Sequence, residues 1–486
     1  MLTGPEIAKH KTAQDLWIII NGHAYDLTGF EHPGGQKILL KYAGKDATEE
    51  YEPIHPKGTI EQALAPEKHL GPVDMTTVDK VVEVVKPAPR EDGAVRPSLN
   101  NCLNLDDIER AAEQLLKTKA WAYYRSAADD EYTHHWNRQS FSRVRLRPRV
   151  MRDVSTVDLS TRILGHKSSV PFFIAPAAMG KLAHPDGENA LARIANLHGF
   201  PYVVSSNSSI SLEEIASQSP QSLLFFQLYV NKDRKKTELQ LQRVVQAGYK
   251  AIVVTVDAPV AGKRERDERT KLEAEVVEDP NMKQAVEATA PDAPDRTLSP
   301  PQGIAQTLGN YVDPALSWPD IAWIKKLTGL PVVVKGIQSA EDAALATHHG
   351  ASAIYLSNHG GRQLEGAPSS LETLLEIRKY EPWVLDQTEV WADGGVRRGT
   401  DIIKLLALGA TAIGIGRPFM YSLTFGQEGV NQVATILRDE LAQNVRLVGS
   451  TQLSQLEPTI VNATELERNL YSGPYDSPVK TVLAKL

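Results

Sequence analysis

The sequence predicts an α/β protein built as a (β/α)8 TIM barrel with a small α+β domain at its N-terminus. Three features support this. Eight short β-type runs alternate with longer amphipathic stretches, ionisable residues stand where those runs end, and the first 76 residues are set off by a proline-rich segment of mixed charge.

Residues 1–76 read as a small mixed unit with its own apolar run, Leu16 to Ile20. Residues 77–104 include VVEVVKPAPREDGAVRPSLNN, whose prolines and charges of both signs mark a linker. From Leu105 the text turns helical, LDDIERAAEQLLKTKAWAYY, with apolar positions recurring at three and four, and the domain that begins there, 105–455, holds the alternation. Its predicted strands are PFFIAPAA from 171, YVVSS from 202, LLFFQLYV from 223, AIVVTVDAP from 251, PVVVKGI from 331, AIYLSNHG from 353, EVWADGG from 389 and AIGIGRP from 412. Eight such strands with helices between them suggest a closed barrel. The stretch 263–301, dense in charge and proline, is expected to be a mobile excursion over the site. Residues 456–486 carry no strand signal and read as a tail packed across a neighbouring surface or subunit.

Composition narrows the partners. A formal charge of −7 offers no basic excess for nucleic acid or an anionic membrane. No run approaches the roughly 20 apolar residues that cross a bilayer, so no membrane segment is expected. A single cysteine, Cys102, excludes an intrachain disulfide, a thiolate zinc cluster and an iron–sulfur cluster. The first ten residues lack a secretory apolar region and an Arg-rich presequence, and Ala484-Lys485-Leu486 is a relative of the Ser-Lys-Leu peroxisomal address.

In the first unit His32 precedes Pro-Gly-Gly and His55 precedes a proline, at loop edges around a short helix. Two imidazoles facing each other across a cleft would close both axial positions of a haem, which then moves electrons without binding oxygen. HPGG, GKDAT and the second histidine at this spacing resemble the cytochrome b5 family over residues 5–73. The resemblance implies haem b ligated by His32 and His55. Residues 1–76 hold seven lysines against eleven acids, a net of −4, and an acidic face would steer a basic acceptor such as cytochrome c.

A (β/α)8 barrel builds its active site at the carboxyl ends of its strands. There stand Ser205, Gln227, Tyr229, Thr255, Asp257, Lys335, Ser357, His359, Asp393 and Arg417. Any one alone would pass for a loop residue; as a set they have little use in a mere scaffold. ADGGVRRG and IGIGRP follow the seventh and eighth strands, where the fold commonly binds phosphate. Their glycines permit close approach, the following helix N-termini offer N–H groups, and Arg397 and Arg417 add charge, so a phosphorylated cofactor is expected.

Residues 105 to about 455 resemble the FMN-dependent L-2-hydroxy-acid oxidase and dehydrogenase family. The matching text includes YYRSAADDE, FSRVRLRPR, IAPAAMGKLAHPDGE, FFQLYV, TVDAP, VKGI, SNHGGRQL, DGGVRRGTD and IGRP. The resemblance implies FMN held by Pro176, Ala177, Ala178, Ser205, Gln227, Thr255, Lys335, Ser357, Asp393, Gly394, Gly395, Arg397, Gly416 and Arg417. It implies His359 as the acid–base residue oriented by Asp257, with Tyr229 on the substrate hydroxyl. Arg362, Arg264 and Tyr123 would grip the substrate carboxylate, and Lys335 would sit by the flavin N1 and C2 carbonyl. On local text alone, Arg264 stands in a charge run that is ordinarily solvated, one of Tyr123 and Tyr124 is core, and His134-His135 and His348-His349 are ordinary histidines. Three positions depart from the family: Ala177 where threonine is frequent, Ala127 for a usual glycine, and Asn207 where relatives place an apolar or aromatic residue against the substrate side chain.

Together the two resemblances imply an L-lactate dehydrogenase of the cytochrome-reducing kind. It would oxidise L-lactate, or a similar L-2-hydroxy acid, to the 2-oxo acid and pass electrons through haem b to cytochrome c. A homotetramer in the mitochondrial intermembrane space is implied, with peroxisome or cytoplasm as other settings. Asn207 leaves mandelate, glycolate or a longer acid open as substrate. A non-catalytic redox sensor is the alternative from another class, and the intact His359, Asp257 and Arg362 speak against it.

Overall fold

The computed structural model describes residues 1–32, 36–78, 97–270, 304, 309, 311–475 and 477–479. Pro33 to Gly35, most of the predicted linker, the excursion beyond residue 270 and the C-terminal Ala-Lys-Leu lie outside the described residues.

In the first unit, strands Asp15–Ile20 and His23–Asp26 pair antiparallel about Asn21-Gly22, whose φ values of 52° and 74° are those of a tight hairpin turn. Lys11–Thr12, His69–Asp74 and Leu2–Thr3 complete a five-stranded sheet. Leu16, Ile18 and Ile20 alternate onto one face and are buried in one cluster with Leu39, Ile60 and Leu64, which come from or follow the short helices Gln36–Lys41 and Thr59–Ala63.

The second unit contains the expected barrel. Its strands are β1 (Phe172–Ile174), β2 (Tyr202–Ser205), β3 (Leu224–Leu228), β4 (Ile252–Thr255), β5 (Val332–Ile337), β6 (Ala353–Leu356), β7 (Glu389–Ala392) and β8 (Ala412–Ile415). All pair in parallel with their neighbours, and β8 closes on β1. Period-two alternation divides the side chains. Phe173, Val203, Phe225, Val253, Val333, Tyr355 and Trp391 form one buried cluster, while Phe172, Ile174, Tyr202, Val204, Val332 and Val334 pack with residues of the helices. Ile163, from the hairpin Thr161–Ile163/His166–Ser168, joins the first cluster, and Leu164 N donates to the Glu389 carboxylate at the start of β7. The amino end of the barrel is thereby plugged, and chemistry is left to the opposite end.

One expectation is corrected. The tail contains a strand, Val461–Asn462, which pairs antiparallel with Arg145–Leu146 of the same chain, while Ile460, Leu466 and Leu470 are buried in the barrel's own core. Two residues are too few to show alternation in the text. Among the described residues no helix is long and apolar enough to cross a membrane.

Candidate functional site

At the carboxyl ends of the strands lies a cavity of about 640 Å3, a size typical of cofactor and substrate sites. Strand register orders its wall, setting Ser205 beside Gln227 and Thr255 beside Lys335. Gln227 Oε1 accepts from Ser205 Oγ (3.3 Å) and Ser206 N (3.2 Å), and its Nε2 donates to Thr255 Oγ1 (2.9 Å), so one amide ties three strand ends together. Lys335 is 4% exposed; its Nζ donates to Ser357 Oγ at 3.1 Å and has no carboxylate within ion-pair distance among the described residues. A buried ammonium in that position is best matched by an anionic ligand.

His359 follows β6. Its Nδ1 lies 2.9 Å from Asp257 Oδ1, and the Asp257 side chain is fully buried. Only an N–H can face a carboxylate, so Nδ1 is the donor and Nε2 is the basic nitrogen, 3.4 Å from Tyr229 Oη. Burial lowers the imidazole below the usual histidine range against the pull of Asp257, and the ring is neutral at pH 7. Burial alone would raise the Asp257 carboxyl, but His359 and Lys335 outweigh it and hold the group low and ionised. Burial pushes the Tyr229 phenol up, so it remains a donor.

Arg362 Nη1 donates to the carbonyls of Tyr123 (3.0 Å), Tyr124 (3.0 Å) and Ser126 (2.8 Å), at the C-terminal end of helix Thr118–Arg125 where carbonyls lack intrahelical partners. Arg264 departs from the solvated reading: it is 7% exposed and its Nε donates to the Arg362 carbonyl at 3.3 Å. Burial lowers both guanidiniums, Arg362 to about 10 with Arg264 adding repulsion, and both stay charged at pH 7. No carboxylate stands within ion-pair distance of either among the described residues. Tyr124 Oη is engaged by the Met179 carbonyl at 2.5 Å, which leaves the Tyr123 hydroxyl on the cavity wall without a hydrogen bond to the described residues. Asn207 also lines the wall, its Oδ1 accepting from Tyr311 Oη at 2.9 Å.

The far wall is made by Pro176, Ala177, Ala178, Asp393, Gly394, Gly395, Arg397, Gly416 and Arg417. Here one expectation changes. The N–H groups of the helix Gly399–Ala407 are already capped: Arg397 N and Arg398 N donate to Asp401 Oδ2 at 3.0 Å, and Gly399 N to Glu440 Oε2 at 2.9 Å. Gly395, with φ of 80°, also leaves room for the Asn137 carbonyl, from which a Cβ would fall 2.2 Å. Side chains are also placed for an anion. Arg397 Nη1 and Arg417 Nη1 are buried without partners, while the other arm of Arg397 pairs with Glu109 and Arg417 Nη2 donates to the Gly360 carbonyl. An unmatched buried donor costs about 1–3 kcal/mol, and a phosphate monoester would satisfy both. With the Lys335 ammonium at the opposite wall, these residues fit a flavin mononucleotide.

Asp257 and Ser357 stand just behind the cavity wall; the other predicted barrel residues line it. Sequence reasoning missed Glu109, Arg125 and Tyr311, and it misread His134, which lines the cavity with a buried, unpartnered Nδ1. A signal existed for this helix. Thr133, Asn137 and Ser140, spaced four and three apart, put polar side chains on the buried face of Tyr132–Ser142. Ala127 has no left-handed φ, so its methyl is accommodated without strain.

In the first unit the rings of His32 and His55 are 5.9 Å apart between centres and inclined by 62°. His55 Nδ1 donates to the Tyr51 carbonyl at 3.2 Å, which leaves Nε2 as its ligating nitrogen. Burial lowers both rings, His32 to about 4 with His55 adding repulsion, and neutral imidazole is the form that binds metal. His55 lines a cleft walled by Ile20, Tyr51 and Ile60, and two neighbouring neutral imidazoles fit a bis-histidine haem. The same cleft is bordered by Lys181 of the barrel, and Lys117–Glu49 (3.6 Å) and Lys119–Glu50 (3.7 Å) bridge the two units.

Residues 112–463 match the FMN-dependent dehydrogenase family, and residues 3–74 match the cytochrome b5-like haem/steroid-binding domain. An L-lactate dehydrogenase (cytochrome) of Wickerhamomyces anomalus is 40% identical over 478 residues, 96% of this chain and 80% of the relative. One from Saccharomyces cerevisiae is 39% identical over 504 residues, 98% of this chain and 83% of the relative. The solved flavin-binding domain of baker's yeast flavocytochrome b2 superposes with a TM-score of 0.67 at 38% identity, covering 79% of this chain and 93% of that one. This chain therefore belongs to the FMN-dependent dehydrogenase family and carries a cytochrome b5-like haem domain in front of its flavin barrel.

Proposed function

We propose that the protein oxidises L-lactate, or an L-2-hydroxy acid of similar size, to the 2-oxo acid and delivers the electrons through its haem domain to cytochrome c. The observation that carries this reading is the pair of buried guanidiniums, Arg362 and Arg264, without a carboxylate partner among the described residues, on the same cavity wall as a neutral imidazole backed by Asp257. FMN supplies a two-electron acceptor, and haem b a one-electron carrier.

The chain's own residues do the rest. Arg362 and Arg264 bind the carboxylate, with the Tyr123 hydroxyl beside them, and fix the acid's orientation. Tyr229 donates to the substrate hydroxyl. His359 Nε2 accepts the substrate proton, and the imidazolium so formed is stabilised by Asp257. The Lys335 charge favours added negative charge at the cofactor. Cytochrome c as acceptor goes with the mitochondrial intermembrane space, the compartment this reading implies.

Steady-state rates over a panel of L-2-hydroxy acids, with cytochrome c as acceptor, test the proposal. Highest kcat/KM for L-lactate supports it. Negligible L-lactate turnover alongside efficient turnover of a larger acid overturns the substrate, and no turnover of any acid overturns the reaction.

A further inference from the structure

We infer that Asn137 and Asn358 form a positioning pair that holds His359 in its working conformation and ties it to the flavin loop. The inference rests on the proposed role of His359 as proton acceptor. Asn358 directly precedes His359, and both asparagines are 1% exposed. Their amides bond reciprocally: Asn137 Nδ2 donates to Asn358 Oδ1 at 2.8 Å, and Asn358 Nδ2 to Asn137 Oδ1 at 2.7 Å. Asn358 Nδ2 also donates to the Pro368 carbonyl (2.9 Å), and its Oδ1 accepts from Gly361 N (3.0 Å). Every donor and lone pair of that side chain is used, and a buried amide so saturated can adopt no other arrangement without losing bonds.

What this amide clamps is a strained turn. His359, Gly360 and Gly361 all have left-handed φ, 59°, 65° and 74°, and for histidine that conformation is held only where the surroundings over-determine it. The turn sets the ring against Asp257. Asn137 lies on a helix outside the barrel, yet its side chain reaches this turn while its carbonyl packs on Gly395 of the loop after β7. One residue thus spans the catalytic turn and the cofactor loop. Being neutral, the pair adds no charge to compete with Asp257 for the imidazole.

The test uses full-length holoenzyme carrying Asn137→Ala, Asn137→Leu or Asn137→Asp. A displacement of the order of 1 Å at a reacting group costs about a hundredfold. Accordingly, Asn137→Ala is expected to lower kcat on L-lactate about a hundredfold, with KM within about threefold of wild type and FMN and haem retained. Asn137→Leu fills the volume without hydrogen bonds and stays as impaired; Asn137→Asp keeps the acceptor for Asn358 Nδ2 and falls between. A crystal structure of the alanine variant is expected to show His359 out of the left-handed region. Should that variant fail to fold, Asn137→Asp carries both readouts, with a smaller loss and a displaced ring.

Wild-type rates for the alanine or leucine variant, full recovery on adding FMN, or an unmoved His359 turn would each overturn the inference. An inactive wild-type enzyme would instead refute the functional reading, and the crystal structure of the variant would still decide the positioning.

Discussion

Replacing Asp257 with asparagine keeps its volume and removes one charge from a fully buried position 2.9 Å from the His359 ring. When His359 takes the substrate proton, wild-type enzyme forms a buried ion pair; the variant forms an imidazolium with no counter-charge, close to the Lys335 ammonium. Leaving a buried charge uncompensated costs about 3–5 kcal/mol, which is about a hundredfold to a few thousandfold in kcat. The pH dependence follows with a definite sign. Neutral His359 is the active form, so kcat/KM rises with pH through its pKa, and since burial holds that pKa below the usual range, the wild-type plateau reaches below about pH 6.5. Asp257 pulls the value upward, so Asp257→Asn moves the acid limb to lower pH still. Anaerobic single-turnover flavin reduction gives the rate and kcat/KM against pH gives the limb. A variant with normal FMN content whose reduction rate is within tenfold of wild type, or whose acid limb moves upward, refutes the pairing argument.

Three further outcomes are expected. His32→Ala or His55→Ala abolishes haem b absorbance and cytochrome c reduction while L-lactate still bleaches the flavin, because the two cofactors occupy separate units; visible spectra check this. Arg362→Lys loses a guanidinium that contacts three carbonyls and that the proposed function assigns to the substrate carboxylate, and at about 1.5–3 kcal/mol for a charged hydrogen bond, kcat/KM falls about ten- to a hundredfold. Gly395→Ala drives a methyl into the Asn137 carbonyl at a left-handed φ and costs about 1–3 kcal/mol, read as a lower Tm and weaker FMN binding in fluorescence titration.

The barrel was legible because its strands are short apolar runs bounded by helices, a local pattern, and because chemistry gathers at strand ends whose order the text gives. His359, Asp257 and Lys335 stand out in this way, whereas Arg362, three residues beyond His359, was assigned through the family resemblance. Residues brought in from outside the strands were not. Asn137 meets Asn358 across 221 positions of sequence, and Glu109 meets Arg397 across 288; such pairings leave no local pattern. His134 was passed over for the same reason, since a histidine pair says nothing about the wall it will face, and Arg264, whose charge run reads as solvated, was assigned to the substrate only through the family resemblance. Gly395 shows a second demand the text does not reveal: besides lining the cavity, it makes room for the Asn137 carbonyl, which an added Cβ would meet at 2.2 Å.

In the proposed reaction the acid's electrons reach the flavin first and the haem second. Rapid anaerobic mixing of the holoenzyme with L-lactate, followed across the visible spectrum, tests this directly. Flavin bleaching that precedes haem reduction is predicted, with His359→Gln lacking both phases. A wild-type flavin that stays oxidised, or a haem reduced while the flavin signal is unchanged, would contradict it.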